Sequence, residues 1–316
     1  MLDATDFLLV NPWQRGFPLT ARPFRDIAWH AGLPESTVLS RFAEMKKQGV
    51  LDRIGPVFRP NTVGASSLAA MAVPPERLEE VAALVSAQPG VNHNYEREHR
   101  YNLWFVATAP GAAAVQSTLS RIEHASGIAV LRLPLLEEFH IDLGFDLDTG
   151  SAPRADVSRP AGPPSEEERR LAAALAGGLP FVERPYDAVA RTLGLSEEEV
   201  LALLAKMLAE GRIRRIGAVI RHRRIGYEAN AMAVWNVPDS QVAEIGRALG
   251  RDPCVTLCYR RARALPHWPY NLYCMVHGKE RATVLEKLAS IETVKPFPGE
   301  VLFSVRCFSQ RAAQYG

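Results

Sequence analysis

Little in this chain points to a membrane, a disulfide scaffold or a common hydrolase. None of its 316 residues fall in a run near the roughly 20 apolar residues that a spanning helix needs. The opening MLDATDFLLVNPWQ has neither the basic start nor the small-residue end of a signal peptide, so a soluble cytoplasmic protein is expected, with no membrane partner. Net charge is only +2, because 37 basic and 35 acidic residues nearly cancel. A dedicated nucleic-acid binder usually shows a clearer basic excess. The four cysteines, at 254, 258, 274 and 307, are expected to be reduced. Cys254 and Cys258 fall on a strand pattern, where they would sit about 13 Å apart, which argues against a zinc pair. A phosphate-binding glycine loop, an H-E-x-x-H and a G-x-S-x-G are all missing, so nucleotide hydrolysis and triad chemistry lack support.

What the chain does have is a repeat. RPFRDIAWHAGLPESTVLSRFAEMKKQGVLDRIGPV begins at Arg22, and RPYDAVARTLGLSEEEVLALLAKMLAEGRIRRIGAV begins at Arg184. Gly32 and Gly194, Gly49 and Gly211, Gly55 and Gly217, and Gly64 and Gly226 keep one constant spacing, with no gap between them. Further on, Tyr95-Glu96-Arg97 answers Tyr259-Arg260-Arg261, and Tyr101-Asn102-Leu103-Trp104 answers Tyr270-Asn271-Leu272-Tyr273. Two fused copies of one unit normally pack as the halves of a homodimer would. The reading is therefore an internal pseudo-dimer, with further homodimerisation left open.

Within each copy the pattern changes once. Helical spacing around residues 20–54 is punctuated by Gly32 as a turn, Ser36 as an N-cap and Gly49 as a stop; Gly194, Ser196 and Gly211 repeat this. Ser196 has Glu199 three residues on, a capping-box pattern. The apolar segments 50–58 and 213–220 read as β-wings, giving two winged helix-turn-helix units. The remainder of each copy reads βαββαβ, the order of a ferredoxin-like sandwich. The predicted fold class is α+β, two tandem units of winged helix-turn-helix plus ferredoxin-like sandwich. The predicted boundaries are 1–62 and 63–145 for copy one, a Pro/Gly/Ala/Ser-rich linker at 146–166, then 167–225 and 226–316 for copy two.

This domain pair is similar to the Lrp/AsnC transcriptional regulators, which makes DNA binding the first hypothesis. The start of the copy-two recognition helix, Ser196-Glu197-Glu198-Glu199, argues against it, since three carboxylates would meet the negative duplex. The acidic residues read better as helix N-terminal caps on inherited packing domains.

Polar and aromatic residues crowd the two central strands of each sandwich. Copy one carries His93, Tyr95, Arg97, His99, Tyr101, Asn102 and Trp104. Copy two carries Tyr259, Arg261, Arg263, His267, Trp268, Tyr270, Asn271 and His277, with a five-residue hairpin insertion around Pro266-His267-Trp268-Pro269. Each has a bland alternative: a solvated strand face for the Tyr95 row, ordinary core for Tyr101 and Trp104, a strand-end cap for His277. Taken together they suit a large, flat, polyanionic ligand. Arginine forks bind carboxylates, rings cover a planar face, and histidine passes protons or ligates iron.

The motifs HNYEREHRYNLWF at 93–105 and WPYNLYCMVHG at 268–278 resemble those of the two subunit types of sirohaem decarboxylase, an Lrp/AsnC-like family of haem d1 and alternative haem synthesis. The resemblance implies removal of CO2 from the C12 and C18 acetates of sirohaem, giving didecarboxysirohaem with no added cofactor. On that reading sirohaem and related iron tetrapyrroles are the partners, and a site histidine contacting the substrate iron is the only metal contact expected. His267 and His277, with Tyr259 beside them, are assigned first as proton donors, and His93 and His99 next. Arg97, Arg261 and Arg263 are assigned to carboxylates that do not react. Tyr95, Tyr101, Asn102, Trp104, Trp268, Tyr270 and Asn271 are assigned to the substrate wall. A haem-responsive regulator and a non-catalytic ligand-binding assembly protein are the competing readings. Because the copies are unequal, one dominant site is expected in copy two, with copy one completing its wall.

Overall fold

The computed structural model describes residues 2–141, 144, 147 and 162–311, so most of the expected 146–166 linker lies outside the described residues. Copy one runs α1 (Ala4–Val10), α2 (Pro23–Ala31), α3 (Glu35–Lys47), β1 (Leu51–Phe58), β2 (Ala65–Met71), α4 (Leu78–Ser86), β3 (Val91–Arg97), β4 (Leu103–Ala109), α5 (Ala112–Ser126) and β5 (Val130–Ile141). Copy two repeats it as α6 (Glu166–Ala174), α7 (Pro185–Leu193), α8 (Glu197–Ala209), β6 (Ile213–Ile220), β7 (Ala229–Trp235), α9 (Val242–Leu249), β8 (Val255–Arg261), β9 (Leu272–Gly278), α10 (Arg281–Ala289) and β10 (Gly299–Gln310).

Local chemistry explains the helix pairs. Pro23 and Pro185 open α2 and α7, where a missing N–H costs nothing, and left-handed Gly32 and Gly194 close them. Ser196 caps α8 as expected: its side chain accepts from the Glu199 N–H at 3.2 Å, and Glu199 accepts from the Ser196 N–H at 2.7 Å. Its counterpart does not behave alike. Helix α3 starts at Glu35 with Pro34 as its N-cap, so Ser36 lies inside the helix. Pro34 takes the N-cap place that Ser196 holds in copy two, with an extended ψ of 143° and no side-chain cap hydrogen bond, two residues before Ser36.

The expected wings are not separate. Strands β1 and β6 pair with each other in antiparallel fashion across the two copies, with Gly55 opposite Gly217. A Cβ on Gly217 would lie 2.2 Å from the Gln14 carbonyl oxygen, so only glycine lets the N-terminal segment approach this ribbon.

Each copy does contain the β-α-β-β-α-β order, but the sheets do not remain two sandwiches. They close into one eight-stranded barrel, in the order β10-β3-β4-β2-β5-β8-β9-β7. Strand length causes this. β5 and β10 are 12 residues each, too long for a single partner. The first part of β5 pairs with β2 of its own copy, and the rest pairs with β8 of the other. β10 does the same with β7 and β3. Alternate residues then face opposite ways. Ala69, Met71, Leu103 and Phe105 pack under α4 and α5 outside the barrel, and Cys258, Leu272 and Cys274 belong to the equivalent layer of copy two. Leu68, Ala70, Trp104, Leu133, Met232, Tyr259, Tyr273 and Leu302 fill the interior. Among the described residues no helix is long and apolar enough to cross a membrane.

Candidate functional site

The pleat of β3 sends His93, Tyr95 and Arg97 inward, while Asn94 turns outward to donate to the Ala82 carbonyl of α4 at 3.0 Å. On β8 the matching residues are Leu257, Tyr259 and Arg261. Arg97 donates to the Leu302 carbonyl at 3.0 Å, and Arg261 donates to the Leu133 carbonyl at 2.9 Å. Both arginines are more than nine-tenths buried. Neither has a carboxylate partner among the described residues, and the Nε of each is buried without an acceptor. Charges so placed are costly unless an anion joins them. Burial pushes Arg97 down to about 10, with Arg223 adding repulsion.

One end of the interior concentrates the chemistry. Arg97 crosses the lumen to within 3.9 Å of the Met275 sulfur on β9. His277, two residues on, has Nδ1 2.8 Å from Thr256 Oγ1, and its ring lies 6.3 Å from that of His222. His93 stacks on Tyr95 at 6.2 Å, and Cys307 of β10 lies directly opposite Tyr95. His93, His222 and His277 are each half-buried. Burial holds His93 and His277 down to about 4 and His222 to about 3; Arg97 adds to the effect at His277. Burial also pushes the Tyr95 hydroxyl up, so it stays a neutral donor.

The opposite end has lost these groups. Leu257 stands for His93, Thr108 for His277, Pro60 for His222, Asn61 for Arg223 and Glu138 for Cys307. Glu138 is already engaged by Arg59 and Arg214. The two ends of the barrel therefore differ in chemistry, and one of them is composite. Copy one supplies His93, Tyr95 and Arg97, and copy two supplies His222, Arg223, His277 and Cys307.

The remaining assigned residues divide. Trp268, from the inserted hairpin, is fully buried in the lumen. It packs edge-on to Trp104 at 5.1 Å, Tyr270 at 5.0 Å, His99 at 5.4 Å and Tyr101 at 5.9 Å. Its Nε1 donates to Tyr273 Oη at 2.7 Å. His99 lies in the hairpin just past β3, with Nε2 2.9 Å from Glu300, which also accepts from Tyr270 Oη at 2.7 Å. These aromatic groups plug the middle of the barrel.

Four assignments are corrected. His267 is exposed on the inserted loop, outside the lumen. Arg263 is spent within the protein, paired to Asp239 at 2.9 Å and donating to the Pro269 and Val237 carbonyls, so it has no fork left for a substrate. Asn102 holds both the N–H and the C=O of Val73, each at 2.9 Å. Asn271 holds Val237 identically, at 3.0 and 2.9 Å. These amides anchor the chain leaving β2 and β7. Sequence reasoning also passed over His222 and Arg223, whose only signal was the basic run Arg221-His222-Arg223-Arg224 between wing and sandwich.

A helix-turn-helix unit joined to a ligand-binding sheet, present twice and closed into one barrel, defines an AsnC-type protein. Residues 63–140 and 224–309 match the AsnC-like ligand binding domain. Residues 6–51 and 168–214 match the siroheme decarboxylase NirDL-like HTH domain. A siroheme decarboxylase NirDL subunit of Paracoccus denitrificans is 44% identical over 318 residues, spanning 99% of this chain and 97% of that one. A siroheme decarboxylase of Hydrogenobacter thermophilus is 34% identical over 308 residues, spanning 96% and 92%. A crystal structure of siroheme decarboxylase NirDL in complex with an iron-uroporphyrin III analogue has a TM-score of 0.70 at 30% identity, spanning 99% and 94%. The chain belongs to the siroheme decarboxylase NirDL family.

Proposed function

We propose that this protein is a carboxy-lyase that removes CO2 from the C12 and C18 acetate side chains of sirohaem, and that both losses occur at the composite end of the barrel. The observation that carries this placement is Arg97, deeply buried in the lumen with no carboxylate partner among the described residues, beside a His277 that burial and this arginine hold neutral. A tetrapyrrole ringed by carboxylates supplies the missing charge.

The chemistry asks for protons at two moments. Protonating the adjacent ring carbon turns the pyrrole into an electron sink. Breaking the acetate C–C bond then releases CO2 and leaves an exocyclic methylene. A second proton converts that methylene to methyl as the ring carbon gives its proton back, so one proton is consumed per CO2 lost. His277 and His93 are the proton donors in this scheme. Their depressed values make the protonated rings strong acids, and the incoming carboxylates favour that charged form. Tyr95 and Tyr259 flank the reacting acetate and keep water from it. Arg97 holds a carboxylate that does not react, because a tight clamp on the departing group would favour the ground state.

Against a DNA-reading role, Glu197 at the recognition-helix start is buried on Arg184, and half-buried Glu35 is paired with Arg22. These arginines are taken up by the protein's own carboxylates. The deciding experiment is anaerobic incubation with sirohaem followed by mass analysis. Loss of one CO2 from each of two acetates is expected; unchanged mass with no Soret change on titration would end the proposal.

A further inference from the structure

The connection between β6 and β7 places Arg223 at the composite end. Its Nη2 lies 3.4 Å from the carbonyl oxygens of both Ser304 and Val305. Ser304 stands directly opposite Arg97 in the β10–β3 ladder, so the two guanidiniums are neighbours across one strand pair. Arg223 Nη1 is buried and has no acceptor, the same condition as Arg97 Nε. Neither arginine forms an ion pair among the described residues. Two adjacent cations that donate only to neutral backbone carbonyls and a thioether repel each other unless anions lie between them. At the other end of the barrel the matching residue is Asn61, held at φ 60° and accepting from Ser66, which cannot supply charge.

We propose that Arg223 and Arg97 together bind an adjacent acetate and propionate on one pyrrole ring, and that this paired subsite selects the end at which the tetrapyrrole sits productively. The proposal rests on the decarboxylase reading for its ligand class, but not on turnover for its test. Carboxylates on neighbouring ring carbons are separated by a few bonds, and two guanidiniums flanking one strand pair can take one each. Arg223 arrives from the segment that ties the helix-turn-helix to the barrel, so the grip on substrate couples those two parts.

Soret titrations with iron uroporphyrin and with iron coproporphyrin, which lacks the acetates, provide the test. Arg223→Gln is expected to raise the Kd for iron uroporphyrin about tenfold or more, with a much smaller change for iron coproporphyrin. Arg223→Lys should recover most of the loss, and Arg224→Gln, at the exposed neighbour, should leave both affinities as they are. In sirohaem turnover the loss should fall mainly on KM. Equal weakening for both porphyrins, accompanied by a lower Tm, would mean that Arg223 only props up β10 and would overturn the proposal. So would unchanged affinity. Should the wild-type protein bind iron uroporphyrin yet release no CO2, the functional reading falls while the subsite stands.

Discussion

Trp268 donates its indole N–H to the hydroxyl of Tyr273 at 2.7 Å, and this bond links the inserted hairpin to the wall of the barrel it plugs. The indole is fully buried, so Trp268→Ala should open a void in the lumen and cost about 3–5 kcal/mol. Trp268→Phe keeps much of the volume and removes only the N–H that the Tyr273 hydroxyl accepts from, so it should cost less. Thermal or denaturant unfolding of the two variants checks the order. An alanine variant as stable as the parent would mean that the hairpin does not seat the ring as described.

Asn102→Ala and Asn271→Ala each remove a two-point grip on a backbone amide. Each should lower stability by about 1–3 kcal/mol, and the two losses should be similar because the geometry is matched. Turnover of the folded fraction should keep its KM. A large KM increase with full stability would return these amides to the substrate wall.

His267→Ala should leave sirohaem turnover intact, since the ring is exposed and outside the lumen. His277→Ala should reduce kcat by at least about a hundredfold if the ring delivers protons. Steady-state assays on both variants, with a Soret titration to show retained binding, separate the two positions. Undiminished kcat in His277→Ala would remove that residue from proton delivery.

Acid should weaken the fold. His93 and His277 are held near 4 and His222 near 3, against an ordinary 6.5. Unfolding restores the ordinary value, so between pH 6.5 and pH 4 the unfolded chain takes up protons that the folded chain refuses. The stability tied to these rings is full above about pH 6.5 and drains away as pH falls toward 4. Melting curves across that window should show a declining Tm, and His93→Gln should flatten the decline. A Tm that stays level through the window would contradict the burial of these rings.

Much of this was legible in the residues. The matched glycines gave the duplication, and the prolines and Ser196 gave the helix starts. The β-α-β-β-α-β order was readable from alternation. Barrel closure was not, because it depends on pairing between segments far apart in the chain, such as Leu135 with Arg261. The one available hint was the length of the run from Ile128 to Ile141, longer than a strand with a single neighbour needs. Site residues fared unevenly for a related reason. Period-two spacing correctly put Tyr95 and Arg97 on one face. Arg263 looked equally available, and only the three-dimensional approach of Asp239 and the Val237 carbonyl took its fork away. Asn102 and Asn271 carry the same amide that a ligand site would use, and nothing in their spacing tells a backbone anchor from a contact to substrate.

The long strands β5 and β10 each finish in the territory of the other copy, so neither half can complete the barrel by itself. Covalent fusion removes the problem of choosing the right mate, since two like halves never need to be rejected in solution. Freed from self-complementarity, corresponding positions can drift apart in chemistry, His93 against Leu257 and His277 against Thr108.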